Sequence, residues 1–131
     1  MRSPRIVVAG AGMAGLVTAV AAQESGAEVV LLEKGPAPGG SLALSGGTLW
    51  CARTVDDLRR LVPRGNAELG RVLVEDFPAG VEWLIALGVS LAPLKTLPDR
   101  TVYLMEPGPG AFITHMAERF QSGGGTLLCN S

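Results

Sequence analysis

Residues 6–33 read IVVAGAGMAGLVTAVAAQESGAEVVLLE, and their pattern predicts the fold class of the chain. It opens with an unbroken apolar run, typical of a strand that is covered on both faces of a parallel sheet. Apolar side chains then recur at helical spacing, which predicts a helix over 13–25 that ends at Gly26. Residues 28–33 predict a second buried strand. This order of strand, helix and strand predicts one right-handed βαβ unit.

The turn between the first strand and the helix, called here the Gly turn, reads GAGMAG over residues 10–15. Glycines at such positions let the chain turn sharply, bring its backbone close to a pyrophosphate and pack the helix tightly on the strand. The free N–H groups and the dipole at the start of the helix favour bound phosphate. The candidate cofactor-binding residues of this turn are Gly10, Ala11, Gly12, Met13, Ala14 and Gly15.

Glu33 ends the second predicted strand, 18 residues after Gly15. A carboxylate at roughly this offset accepts hydrogen bonds from ribose hydroxyls in dinucleotide-binding folds, and it repels the 2′-phosphate of NADP. We therefore expect this site to bind NAD or the adenosine half of FAD. The βαβ unit by itself leaves both cofactors open.

The next segment, residues 34–49, is rich in glycine and proline, which predicts an extended loop. Together with Glu33 it contains EKGPAPGGS at 33–41 and LSGGTL at 44–49. This run resembles the flavoprotein family that includes fumarate reductase, succinate dehydrogenase, L-aspartate oxidase and the 3-ketosteroid dehydrogenases, in which such a loop wraps FAD. The resemblance extends more loosely over most of the chain.

The resemblance implies that the first glycine pair of this loop lies near the pyrophosphate and the second near the flavin ring. Main-chain N–H groups beside a flavin stabilise the negative charge that its reduction brings. The further cofactor-binding residues that the resemblance implies are Lys34, Gly39, Gly40, Ser41, Ser45, Gly46 and Gly47.

The resemblance also implies an activity, namely an FAD-dependent oxidoreductase. Such an enzyme moves a hydride between flavin N5 and a C–C bond beside a carbonyl or carboxylate of a small-molecule substrate. Some members of the family attach FAD through a histidine in this loop, but residues 35–49 contain none, so we expect non-covalent FAD. Catalytic residues of the family come mainly from later parts of the chain, and none is assigned here.

The remaining sequence predicts mostly helices. Three are predicted between residues 54 and 88: one capped by Thr54, one capped by Asn66 that Pro78 interrupts, and one over 81–87. A short strand at 101–105, a helix over 112–122 with a core stripe of Phe112, Met116 and Phe120, and the start of a strand at 126–129 follow.

These elements predict an α/β, Rossmann-like FAD-binding domain that is incomplete. Residues 1–49 would form the βαβ unit and the flavin-wrapping loop, 50–110 a helical insertion, and 111–131 a helix and the start of a further strand. We expect this piece alone to bind FAD weakly and to catalyse nothing.

Two other functions are compatible with the βαβ unit. An NAD-dependent Rossmann dehydrogenase would place a third strand directly after a βα crossover, whereas a glycine-rich loop and three helices are predicted here. A nucleotide-binding module without turnover would bind its ligand and do nothing more. A yellow protein would support the flavin enzyme, and a colourless protein that binds NAD would support the dehydrogenase.

Composition excludes several classes of protein. With 47% hydrophobic and 18% charged residues, the chain is expected to be globular rather than disordered. A net charge of −1 without a basic stripe argues against nucleic-acid binding. The apolar run after the N-terminus is cut short by Gly10, so neither a signal peptide nor a membrane span is predicted, and we expect a cytoplasmic protein.

Residues that often serve in active sites have simpler interpretations here. Cys51 and Cys129 lack metal-binding spacing, so we expect buried thiols and no metal site. The single histidine, His115, is expected on the solvated side of its helix. Trp50 and Trp83 are expected to pack in the core.

Overall fold

A computed structural model describes residues 3–92 and 95–131 of the chain. The chain divides into two compact units, the first made of Met1–Gly46 and Pro107–Ser131 and the second of Gly47–Glu106. In chain order the elements are β1 (Arg5–Ala9), α1 (Met13–Glu24), β2 (Glu28–Leu32), a 3₁₀ helix (Gly40–Leu44), β3 (Thr48–Ala52), α2 (Val55–Leu61), α3 (Ala67–Ala86), β4 (Lys95–Thr96), β5 (Arg100–Leu104), α4 (Pro109–Ser122) and β6 (Thr126–Leu128).

The first unit contains a parallel sheet in the order β1-β2-β6. Val7 pairs with Val30, and Val30 pairs in turn with Thr126. Helices α1 and α4 contact each other and the strands. The predicted βαβ unit and the α/β class are therefore confirmed. The largest fully buried side chains between the helices and the sheet are Leu16, Val20, Leu31, Met116 and Phe120.

The burial predicted for the first strand is wrong. Among the described residues β1 pairs with β2 alone and forms a border of the sheet, and the side chain of Val7 is 66% exposed. Strands of parallel sheets are apolar because both faces are normally covered. Here α1 contacts β1, yet all residues of β1 except Val8 remain exposed.

Helix α4 carries the predicted core stripe. Phe112, Met116 and Phe120 are all buried, at the spacing of four that places them on one face. The helix ends at Gly123 as predicted. Next to this end, the side-chain N–H of Gln23 on α1 donates to the main-chain carbonyl of Phe120 at 3.1 Å, so α1 satisfies a carbonyl in the last turn of α4.

The second unit contains more than the predicted helical insertion. It has an antiparallel sheet in the order β3-β5-β4 as well as α2 and α3. The short strand predicted at 101–105 corresponds to β5, whereas the sequence analysis does not predict β3. The predicted loop over 34–49 therefore ends sooner, since Thr48 already pairs with Leu104 and Leu49 with Tyr103.

The last two predicted helices form one continuous helix, α3. Asn66 caps it, accepting from the N–H groups of Glu68 and Leu69 at 3.0 Å each. Pro78 lies inside it without ending it. A proline within a helix removes one hydrogen bond and crowds the preceding turn. Here twenty residues of helix tolerate that loss.

On α3, the side chains of Leu69, Val72 and Leu73 are exposed. The burial predicted for Trp50 in the second unit is wrong. Trp50 on β3 is 43% exposed, and the guanidinium of Arg100 lies 5.4 Å from its ring centre. Such a cation–π contact lets an exposed indole keep a partner without entering the core. In residues 3–92 and 95–131, no helix is long and apolar enough to cross a membrane.

Candidate cofactor-binding site

The Gly turn connects the carboxyl end of β1 to the start of α1. Gly10 has a φ of +94°, a conformation that side chains disfavour, and its N–H donates to the carbonyl of Leu32 at 2.7 Å. A Cβ at Gly15 would overlap the carbonyl group of Gly10 and lie 3.6 Å from a methyl of Leu31. The helix can therefore approach the strands only because residue 15 has no side chain.

The start of α1 offers donors to a ligand. Gly12 is its N-cap residue, and within the described chain no side chain caps the helix and no acidic residue lies in its first turn. The first N–H groups of a helix lack partners in the helix itself. The first-turn N–H groups, beginning with those of Met13 and Ala14, thus give this end of the helix the donors and the dipole that suit an anion.

Glu33 follows β2 directly and is only 7% exposed. Its Oε2 accepts from the N–H of Ala11 at 2.8 Å, and its Oε1 accepts from the N–H of Gly35 at 2.7 Å. A carboxylate has about four acceptor positions, more than these two N–H groups fill, so it keeps capacity for a ligand hydroxyl. The carboxylate thus lies against the Gly turn, a contact that spacing in the sequence does not predict.

These contacts stabilise the ionised form of Glu33. The N–H of Gly35 contributes most to lowering the pKa of its carboxyl group, and the N–H of Ala11 follows. Burial acts in the opposite direction, and the positive charge of Lys34 adds a smaller lowering. The carboxylate is therefore charged at neutral pH and offers only acceptors.

A pH dependence of stability follows from this lowered pKa. A carboxyl group with a lower pKa in the folded state stabilises that state above its unfolded pKa, and the contribution is lost as the pH falls through the folded value. We expect the melting temperature of the wild type to fall in that acid range, and Glu33→Gln to show a smaller fall. Melting curves from neutral to acid pH test this, and parallel falls in both proteins would contradict it.

The first glycine pair of the loop, Gly39 and Gly40, lies against the Gly turn. The N–H of Gly39 donates to the carbonyl of Ala11 at 2.8 Å, and a Cβ at Gly40 would lie 3.6 Å from the Cα of Gly12. Gly39 has a φ of +132° and is packed against Ile113 of α4, so glycine is required there for both conformation and space. The two glycine-rich segments therefore meet.

The other predicted residues are less tightly placed. Lys34, Ser41 and Gly46 are exposed. The hydroxyl of Ser45 donates to the carbonyl of Leu42 at 2.8 Å, which closes the 3₁₀ helix. Gly47 begins the second unit, where its carbonyl accepts from the N–H of Met105 at 2.9 Å. The structure thus groups the Gly turn, Glu33, Gly39 and Gly40 in the first unit.

Two neighbours of the site were missed in the sequence. Helix α4 packs on the 3₁₀ helix and places Ile113 beneath Gly39. After β6, the N–H of Asn130 donates to the carbonyl of Gly35, and the N–H of Ser131 to that of Glu33. The Gly-Pro-Gly sequence at 108–110 indicates a helix start, but nothing in it indicates which loop the helix will contact.

Among residues 3–92 and 95–131, no three His, Cys, Asp or Glu side chains are grouped so that they could hold a metal ion. Cys51 is buried as predicted, whereas Cys129 is half-buried, and His115 is half-buried rather than solvated. A depression of about 710 Å³ in the first unit is lined by residues such as Arg5, Glu28 and Thr126. It lies at the amino ends of the strands, whereas ligands of parallel sheets bind at the carboxyl ends.

A comparison with protein families matches residues 5–124 to the FAD binding domain. Among curated proteins, the chain is 30% identical over 107 residues to a probable fumarate reductase of Shewanella frigidimarina, covering 70% of this chain and 18% of the relative. It is 41% identical over 66 residues to 3-oxosteroid 1-dehydrogenase of Mycobacterium tuberculosis, covering 50% of this chain and 12% of the relative. The chain thus spans less than a fifth of these relatives.

Solved structures share the fold. An open conformation of a flavocytochrome c3 fumarate reductase superposes with a TM-score of 0.85 at 23% identity, covering 98% of this chain and 27% of the other. The 3-ketosteroid-Δ4-(5α)-dehydrogenase of Rhodococcus jostii RHA1 superposes with a TM-score of 0.74 at 18% identity, covering 99% of this chain and 38% of the other. At these identities the likeness concerns the fold alone.

Proposed function

This chain belongs to the FAD binding domain family, and from that membership we propose that its first unit holds the adenosine diphosphate half of non-covalent FAD. The observation that carries the proposal is the meeting of three features at the carboxyl ends of β1 and β2. These are the uncapped start of α1, the close contact of Gly12 with Gly40, and the buried carboxylate of Glu33.

The chemistry of these groups fits a dinucleotide. The N–H groups at the start of α1 would donate to the diphosphate, and Gly12 keeps side chains away from it. The free acceptor positions of Glu33 would receive ribose hydroxyls, and its charge would repel a 2′-phosphate. As the resemblance implies, Ser41 would lie near the diphosphate and Ser45, Gly46 and Gly47 near the flavin ring, while Lys34 stays a predicted cofactor-binding residue.

We further propose that the chain serves a flavin-dependent oxidoreductase. When bound, FAD supplies hydride transfer at its ring, and the protein supplies binding and orientation. The relatives are named for fumarate and for 3-oxosteroids, which both carry the reacting C–C bond next to a carboxylate or carbonyl group. The proposed substrate class is therefore a small molecule with a C–C bond activated in this way.

An FAD titration with Gly12→Val tests the binding site. Among the described atoms, a Cβ at Gly12 meets the carbonyl oxygen of Gly39 at an ordinary 3.8 Å, so the fold accepts the first carbon of a side chain there. The valine would instead fill space that the diphosphate needs. We expect FAD affinity to fall by roughly tenfold or more, equivalent to about 1.4 kcal/mol, as measured by quenching of flavin fluorescence.

The matched control is Gly80→Val on α3, where an added Cβ meets no described atom within 4 Å apart from the local backbone of its own helix. Its FAD affinity should equal that of the wild type. Equal affinity for FAD in Gly12→Val and the wild type would exclude this site. Parallel titrations with NAD and FMN show whether both halves of FAD are needed.

A further inference from the structure

We propose that Glu33 is a positioning residue that holds the Gly turn ready for the diphosphate, acting through the main chain in addition to its expected contact with ribose. The proposal deepens the function proposed above and rests on it. Its basis is the bridge that the side chain forms between two segments of backbone. One carboxylate oxygen accepts from Ala11 in the Gly turn, and the other accepts from Gly35 in the following loop.

The bridge supplies one of two hydrogen bonds that hold the main chain of Ala11. The N–H of Gly39 donates to the carbonyl of Ala11, so both polar main-chain groups of Ala11 are held by the segment that follows β2. Ala11 itself has no exposed surface. A shift of this residue would therefore move its neighbour Gly12, the N-cap of α1, and with it the N–H groups that face the proposed diphosphate.

The bridge requires the length and the charge of glutamate. Hydrogen bonds from N–H groups to a carboxylate are stronger than those to a neutral acceptor. A glutamine retains one acceptor oxygen, and its NH₂ group cannot accept from the second N–H. An aspartate keeps the charge but lacks one methylene group, so it cannot span both contacts without movement of the backbone. Little space separates Gly35 from the Oε1 atom of Glu33, since a Cβ at Gly35 would lie 3.2 Å from that oxygen. This close fit supports the requirement for a side chain of this length.

Inorganic pyrophosphate separates this role from ribose binding, because it has no ribose for Glu33 to contact. If the carboxylate acted on anions only through its charge, Glu33→Gln would bind pyrophosphate more tightly and Glu33→Asp would bind it as the wild type does. The positioning role instead predicts a lower affinity for pyrophosphate. We expect both variants to bind pyrophosphate more weakly, by roughly tenfold, the factor for one charge-assisted hydrogen bond.

The experiment titrates sodium pyrophosphate into each cofactor-free protein and follows amide chemical shifts by NMR. The matched control is Glu28→Gln at the other end of β2, where the carboxylate is exposed and pairs with Arg5. Weaker binding in both Glu33 variants, with wild-type binding in Glu28→Gln, supports the proposal. Unchanged or tighter binding in Glu33→Gln overturns it.

Amide exchange in the absence of ligand tests the bridge separately. We expect the N–H groups of Ala11 and Gly35 to be protected in the wild type and to exchange severalfold faster in Glu33→Gln, with Glu28→Gln unaffected. Unchanged exchange at Ala11 also overturns the proposal. If the wild type binds neither FAD nor pyrophosphate, the proposed function fails, while the exchange rates still decide whether Glu33 holds the turn.

Discussion

Replacing Gly15 with alanine is expected to abolish FAD binding and to lower the free energy of unfolding by about 3 kcal/mol or more. The added Cβ would overlap the carbonyl group of Gly10, which is main chain and is fixed at the end of β1. The overlap is relieved only if α1 moves away from the sheet or if the Gly turn unfolds. Either movement displaces the N–H groups proposed to bind the diphosphate.

Chemical denaturation and FAD titration of Gly15→Ala measure the two effects. The matched control is Gly80→Ala in α3, where the new methyl group meets no described atom within 4 Å apart from the local backbone of its own helix. Because alanine favours helix over glycine by about 1 kcal/mol, this control should be neutral or slightly stabilised. A Gly15→Ala protein with wild-type stability and affinity would show that close packing of helix on strand is unnecessary.

Replacing Phe120 with alanine is expected to cost about 3–5 kcal/mol of folding free energy. Phe120 is fully buried, and its ring packs directly against Gly125, where a Cβ would clash with it. The loss of the ring leaves a cavity beside the turn from α4 to β6. Since single domains are stable by only about 5–15 kcal/mol, this one change would remove a large part of the total.

The control for Phe120→Ala is Leu69→Ala on α3, a large apolar side chain that is 70% exposed. Exposed substitutions of this kind normally change stability by less than about 0.5 kcal/mol. Urea unfolding followed by circular dichroism compares the two variants with the wild type. Similar losses in both would mean that burial in this structure does not determine which apolar residues stabilise the chain.

The sequence predicts the first unit better than the second because its signals are local. Glycines at 10, 12 and 15 lie in one short turn, where Gly10 has a positive φ and a Cβ at Gly15 would overlap the main chain, and Glu33 lies at the end of the adjacent strand. Helix α4 is likewise predicted by a simple spacing of aromatic and apolar residues. These patterns depend on neighbours in sequence, so they can be recognised without knowledge of tertiary contacts.

The errors concern properties that distant contacts decide. Strand β3 follows a glycine-rich loop and is recognised only from its pairing with β5, about fifty residues later in the chain. The continuity of α3 through Pro78 depends on helix on both sides of the proline, which propensity alone does not reveal. The exposure of the β1 side chains and of Trp50 depends on which other elements cover each sheet, and the local sequence does not show these elements.

Within the site, too, the sequence predicts residues that have a local signal but not the contacts that they make. The Gly turn and Glu33 could be identified from spacing, but the bridge from Glu33 to Ala11 and Gly35 could not, since spacing does not show which donors a carboxylate meets. The packing of Ile113 beneath Gly39 joins residues far apart in the chain. Its sequence signal is an ordinary apolar position on a helix.

Among the described residues, β1 is the outer strand of the parallel sheet, and only β2 pairs with it. Its other side, together with the exposed side chains of Ile6 and Val7, offers a site where a strand of another molecule can pair. Natural sheets protect such edges with charges or proline, and here Pro4 and Arg5 lie only at the beginning of the strand. We therefore expect the isolated 131 residues to self-associate through β1 as their concentration rises.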